Sequence, residues 1–128
     1  TTKPDNLLKV EYVEPNKPAY AAEVEHTLEG EQRAVKGMIE CIYCHDDNTC
    51  VVANEEAKLI GMEGNRRFGD GKSIIAGPFF VVGLEGDGFR SLTEEEHAKY
   101  LQEYAEPEQI SQEEVEADTG MTFIAFRW

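Results

Sequence analysis

Along residues 7–14 the chain begins to alternate at Lys9, with Val10, Tyr12 and Glu14 on one phase and Lys9, Glu11 and Val13 on the other. A period of two predicts a strand, and Pro15-Asn16-Lys17-Pro18 supplies the turn chemistry that ends it. Residues 20–25 predict a second strand. Thr27 then stands where an N-cap belongs, opening a short helix to about Lys36, with Leu28, Ala34 and Val35 on its inner side and Gly37 as terminator. Residues 38–45 are rich in β-formers, Asp46-Asp47-Asn48 reads as a turn, and Thr49-Cys50-Val51-Val52-Ala53 returns, which predicts a β-hairpin.

The pattern then breaks. Residues 61–72 hold Gly61, Gly64, Gly69 and Gly71 around Asn65-Arg66-Arg67, too many glycines for a helix or a regular strand, so a structured loop is expected. Residues 73–84 are the most apolar run; their β-branched content predicts a strand interrupted at Gly77-Pro78, where the missing proline N–H calls for a bulge or a sheet edge. Thr93-Glu94-Glu95-Glu96 is a capping box opening a helix on which Ala98, Leu101, Tyr104 and Ala105 recur at helical spacing. Pro107 breaks that helix. Ser111-Gln112-Glu113-Glu114 is a second capping box, leading into a short acidic helix that Gly120 terminates, and residues 121–128 predict a final strand. Together these elements imply one α+β domain, a mostly antiparallel sheet with helices packed on one side.

Composition sharpens the picture. At 128 residues and 41% apolar content, the chain is one domain long and can bury a core without disulfides or a metal. Its 26 Asp and Glu against 12 Lys and Arg give a formal net charge of −14, which repels nucleic-acid phosphates and anionic lipid. Residues 93–118 alone hold ten carboxylates against one cation, Lys99, so the acidity concentrates on the two late helices. Such a face keeps a protein soluble or imitates DNA toward a DNA-binding protein. No stretch approaches the ~18 apolar residues of a membrane helix, and Thr1-Thr2-Lys3-Pro4-Asp5 lacks a signal peptide's apolar core. Three cysteines make an odd number for a disulfide framework, and a cytoplasmic protein is expected.

Candidate chemistry lies in three places. Cys41-Ile42-Tyr43-Cys44-His45 matches the C-x-x-C-H haem-attachment pattern, but on a strand Cys41 and His45 face one way and Cys44 the other, so neither haem nor metal is expected. A three-residue turn at 46–48 would set Cys44 opposite Cys50, and a two-residue turn would not, which leaves a disulfide open. Asn54-Glu55-Glu56 and Asn65-Arg66-Arg67, at a strand exit and in the glycine-rich stretch, are the polar clusters able to line a site. A guanidinium fork there would hold an anion or nucleotide-like ligand; alternatively one arginine pairs Glu55 or Glu56 and pins the loop. The binding set is Asn54, Glu55, Glu56, Asn65 and Arg66. His26, His45 and His97 are scattered, and no catalytic residue or cofactor is assigned.

Val13-Glu14-Pro15, Thr27-Leu28-Glu29 with Gln32, Ile39-Glu40, Asn54-Glu55-Glu56-Ala57-Lys58-Leu59, Gly61, Asn65-Arg66 and the run from Ile74 through Gly83 carry a resemblance. Over residues 8–104 the chain resembles an uncharacterised family of bacteria, phages and conjugative elements, the domain of unknown function numbered thirty-eight forty-six. The Cys-x-x-Cys-His segment and everything after Pro107 depart from that pattern, which divides the chain into a family-like core at about 7–105 and an extension at 106–128. The resemblance implies an accessory or host-interaction protein of phage or mobile-element origin. The function expected is a non-enzymatic binding module, an acidic DNA mimic or anti-defence protein in its sharpest form, with a host protein as partner. A small-molecule binder or enzyme built on the Asn-Glu-Glu and Asn-Arg loops is the alternative. The edge at Gly77-Pro78 or residues 123–128 would serve homodimerisation.

Overall fold

A computed structural model describes residues 6–68 and 73–118 of the chain. In chain order these form β1 (Leu7–Val13), β2 (Tyr20–Glu25), α1 (Leu28–Val35), β3 (Ile39–Ile42), β4 (Thr49–Asn54), β5 (Gly64–Phe68), β6 (Ser73–Ala76), β7 (Phe79–Glu85), β8 (Gly88–Arg90), α2 (Glu94–Glu103) and α3 (Gln112–Asp118). The main sheet runs β2-β1-β7-β4-β3, with β8 paired to the end of β7, while β5 and β6 form a separate hairpin. Every pairing is antiparallel. The fold is α+β, as the sequence implied.

β4 is buried over its whole length and β7 over its first five residues, so both need an apolar side chain on either face. Along β7, Phe79 and Val81 enter one core with Val51, Tyr100 and Tyr104, whereas Phe80 and Val82 enter another with Val10, Val52 and Val35. α1 therefore covers one face and α2 the other. This corrects the expectation of helices on one side, and the cause is the central strands themselves: a face lined by Val51, Phe79 and Val81 cannot be left to water. α3 packs separately, placing Val115 with Ala57, Ile74 and Ala76.

Helix boundaries follow local chemistry. The Thr27 side chain accepts from the Gly30 N–H, and α1 ends with Lys36 in the left-handed region at φ 66°, one residue before the predicted glycine. Thr93 and Glu96 complete the capping box of α2. At the third helix, the Glu114 N–H donates to Ser111 Oγ, as its sequence signal predicted.

Other expectations fail for identifiable reasons. The glycine-rich stretch contains β5, which a register shift between Gly64 and Arg66 lets pair with β6 despite its composition. The apolar run at 73–84 is interrupted at Gly77-Pro78 as expected, but its halves are two strands in two sheets, joined by a corner at which Gly77 adopts φ 73°. Leu28 is exposed, and so are Ala98 and Leu101; α2 instead turns Tyr100 inward, with Tyr104 at its C-cap. The predicted terminator Gly120 and the strand over 121–128 lie outside the described residues. No helix among the described residues is long and apolar enough to cross a membrane.

Gly64 is where α3 meets the small hairpin: a Cβ there would lie 2.7 Å from Ile110 Cγ2 and 3.0 Å from Val115 Cγ2. Gly64→Ala is expected to destabilise the protein by about 1–3 kcal/mol through overpacking, read as a lower urea midpoint at unchanged slope. An unchanged midpoint would mean that α3 yields at no cost.

Candidate functional site

Of the five residues singled out by sequence, most carry the framework. Asn54 ends β4 and donates from Nδ2 to the carbonyls of Val35 (3.1 Å) and Lys36 (3.3 Å), while its Oδ1 accepts from the Glu56 N–H at 2.8 Å. It thereby satisfies carbonyls that the end of α1 leaves over. Glu55 and Glu56 are exposed. Asn65 is fully buried and donates to the carbonyls of Val13 (3.0 Å) and Gly77 (2.8 Å). Arg66, also fully buried, donates to the carbonyls of Lys17 (2.7 Å), Tyr104 (2.9 Å) and Asn65 (3.1 Å) and to Asn65 Oδ1 (2.8 Å). Burial holds its pKa below the ordinary arginine value. Asn54 and Glu55 border a cavity of about 220 Å³ with Glu40 and Lys58, whereas Asn65 and Arg66 lie outside it. Asn65 and Arg66 adjoin; the set does not converge. The pinning arginine has different partners from those expected: Arg67 pairs Glu108 (3.2 Å) and Glu114 (2.7 Å).

The cysteine segment is likewise rearranged. β3 stops at Ile42 and its register with β4 ends at Ile42↔Val51, so residues 43–48 form a wide connection instead of a tight turn. Cys41 packs on the α1 side, while Cys44 and His45 both reach the α2 side, a reversal of the alternation expected of a continuous strand. All three cysteines are free. Burial, together with Cys41 nearby, pushes the Cys50 thiol up to about 12. Among the described residues no group of three His, Cys, Asp or Glu side chains is placed to hold a metal.

His45 belongs to a polar clasp under α2. Asp47 Oδ2 accepts from the Tyr100 hydroxyl at 2.6 Å and from Lys99 Nζ at 2.9 Å, and its Oδ1 accepts from Thr49 Oγ1 at 2.5 Å. Burial opposes ionisation of Asp47, but the hydrogen bonds from Thr49, Tyr100 and Lys99 outweigh it and hold the carboxyl well below the usual range. With the Thr49 proton given to Asp47, Thr49 Oγ1 accepts from His45 Nδ1–H (2.9 Å), and His45 Nε2 accepts from the Tyr104 hydroxyl (2.9 Å). Burial lowers the His45 pKa and so favours the neutral imidazole, the form in which Nε2 accepts. Every polar atom has a partner, and the clasp ties α2 to the β3–β4 connection.

A second polar pair lies under the same helix and is not so satisfied. Glu11 stands in β1, between β2 and β7, with no exposed surface. His97 Nδ1 lies 2.5 Å from Glu11 Oε1, and no other side chain or backbone group bonds either carboxylate oxygen among the described residues. Burial raises the Glu11 pKa, and His97 only partly offsets it. His97 is the link to the surface, because it also lines a groove of about 490 Å³ between the β1–β2 face and the first turn of α2. That volume falls within the ~300–1,000 Å³ of small-molecule sites. Lys9, Ala21, Leu92, Thr93 and Glu94 form much of the remaining wall. The Lys9 N–H donates to Ser91 Oγ (2.8 Å) and its carbonyl accepts from the Leu92 N–H (2.9 Å), which fixes the segment entering α2 against β1.

Sequence reasoning missed this site. Glu11 sits in an alternating strand, where an acid reads as a solvent-facing position, and nothing local signals that α2 returns over it. His97 was discoverable: His97, Tyr100 and Tyr104 are spaced i, i+3, i+7, an inward stripe once aromatic and imidazole rings are counted alongside aliphatic side chains.

Two measurements separate these roles. Arg66→Ala is expected to cost about 3–5 kcal/mol in urea unfolding, since it strands buried carbonyls, whereas Glu55→Gln and Glu56→Gln stay within about 0.5 kcal/mol. A mild Arg66→Ala would contradict its structural role. For Glu11, a folded-state pKa above the unfolded one means that ionisation in the native state is penalised; the penalty is absent well below pH 4 and grows as pH rises through the folded pKa. Glu11→Gln should therefore gain stability relative to wild type on passing from pH 4 to pH 8, read as the difference in Tm. A loss over that range would show that the His97 charge outweighs burial.

No curated protein and no solved structure matches the chain. The family described as Domain of unknown function (DUF3846) matches residues 8–105, which takes in every strand but the first residue of β1, together with α1 and α2, and so both the clasp and the groove. The chain belongs to that family.

Proposed function

We propose that the protein is a non-enzymatic interaction module that presents the acidic flank formed by α2, α3 and the segment between them to a basic partner protein. The observation behind this reading is how the cations are spent. Arg90 is bound by Glu96 at 2.7 Å, Lys99 by Asp47, Lys58 by Asp118 at 2.8 Å and Arg67 by Glu108 and Glu114, while Arg66 is enclosed by carbonyls. What remains on the flank is negative: Glu94, Glu95, Glu103, Glu106 and Glu113 are exposed and form no ion pair among the described residues. Uncompensated charge of one sign steers association with the opposite sign and enforces it against wrong partners. A cytoplasmic host protein that handles DNA, engaged by a protein of phage or mobile-element origin, fits this chemistry, because its own site must be basic.

The alternative, an enzyme or anion site built on Glu55, Glu56 and Arg66, loses its support, since Arg66 has no face open to a ligand. The test is capture from a bacterial host lysate at about 0.1 M and 1 M salt, where the screening length falls from about 10 Å to 3 Å. The bait is wild type or a variant with Glu95, Glu103, Glu106 and Glu113 replaced by Gln. A partner held at low salt, released at high salt or by duplex DNA, and lost with the variant is the expected result. A captured set indifferent to salt and to the four substitutions would sink the reading.

A further inference from the structure

The groove beside β2 shares Glu94 with that flank and is otherwise separate from it. Val10, Ala21, Ala22 and Leu92 give it an apolar lining, to which Ala21 brings no more than a methyl group. Its rim carries both kinds of group: Lys9 and the His97 ring can receive an anionic group, and Glu94, with Glu23 opposite Lys9 in the β1–β2 register, a cationic one. With Glu11 at its Nδ1, His97 has Nε2 as the ring nitrogen left for a ligand. A simple anion would meet repulsion from Glu23 and Glu94, and a simple cation from Lys9. A molecule bearing both charges next to each other, with an apolar body, meets neither penalty.

We propose that this groove binds a free α-amino acid with an apolar side chain, its carboxylate at Lys9 and His97, its ammonium at Glu94 and its side chain over Ala21 and Leu92. Glu11 explains itself in this arrangement. A carboxyl group in a central strand with no partner but His97 among the described residues is costly, and what it supplies is a fixed ring orientation. Glu11 is thus a positioning residue, acting on the ligand through His97. Neither a peptide nor a protein terminus offers both charges on one residue, so the site discriminates free amino acids from chain ends.

The experiment is an amide-detected NMR titration of the full chain with leucine, methionine and phenylalanine, with N-acetyl-leucine and leucinamide as controls that each lack one charge. The expected result is a saturable shift at Ala21, Leu92 and His97 for at least one of the three amino acids. Affinity should fall at least about tenfold for both controls and in Lys9→Met and Glu94→Gln, surface substitutions that leave the fold intact. Glu11→Gln should weaken binding while leaving the leucine-to-leucinamide ratio smaller than in wild type, which a merely structural residue would not do. No saturable shift from any of the three up to about 10 mM, shifts away from the groove, or controls that bind as well as their parents would each overturn the proposal. The four flank substitutions leave Glu94 in place, so this outcome and that of the capture experiment are read separately.

Discussion

Two adjacent buried side chains hold the molecule's separate parts in register. Asn65 bonds the end of β1 through Val13 and the β6–β7 corner through Gly77; Arg66 bonds the β1–β2 turn through Lys17 and the end of α2 through Tyr104. The Ala19 N–H donates to the Tyr104 carbonyl at 3.2 Å, so the turn and the helix end also bond each other. Carbonyls at turns and helix ends are the groups that regular structure leaves unsatisfied, and a guanidinium is well suited to gather them because its donors diverge in one plane. This knot adds polar anchoring to the apolar packing by which Ile75 and Phe68 join the small β5–β6 hairpin to the main core.

With the corner fixed, covering both sheet faces divides the charge. The cations beside α2 and α3 are consumed as fasteners, and the carboxylates left over there occupy the outside of the two helices. Fastening by Arg67 to Glu108 and Glu114 joins the small hairpin to the segment leading into α3, so part of the acidity is structural. Surface ion pairs of this kind add only about 0–1 kcal/mol each. Their larger effect is on the potential: they neutralise the positive side and leave the flank of one sign.

Elements set by near neighbours in the chain were legible in the sequence. The caps at Thr27 and Thr93 and the run of β2 are each read from a few adjacent residues, and the structure reproduces them. What failed depended on a distant partner. β5 reads as loop because Gly64 looks like a breaker, but the glycine is there to let Ile110 and Val115 approach. Asn54 and Asn65-Arg66 read as binding residues because polar side chains near glycines serve ligands and backbone carbonyls equally well, and only the chain's return shows which. β8, three residues in a hairpin with β7, has no periodicity long enough to read.

The clasp and the groove differ in how far their acidic groups are satisfied. Both set an acid beside a histidine under α2. Asp47 receives three hydrogen bonds and is ionised with ease, and His45 spends both ring nitrogens, so nothing is left for another molecule. Glu11 has one contact, its ionisation resisted by burial, and its histidine opens onto a cavity. A fold stabilised only for its own sake would place a valine or leucine at that position of β1, as it does at Val13 and Val81 on the same face. Burial penalises an ionised carboxylate there, and the side chain it touches among the described residues is the His97 ring at the groove.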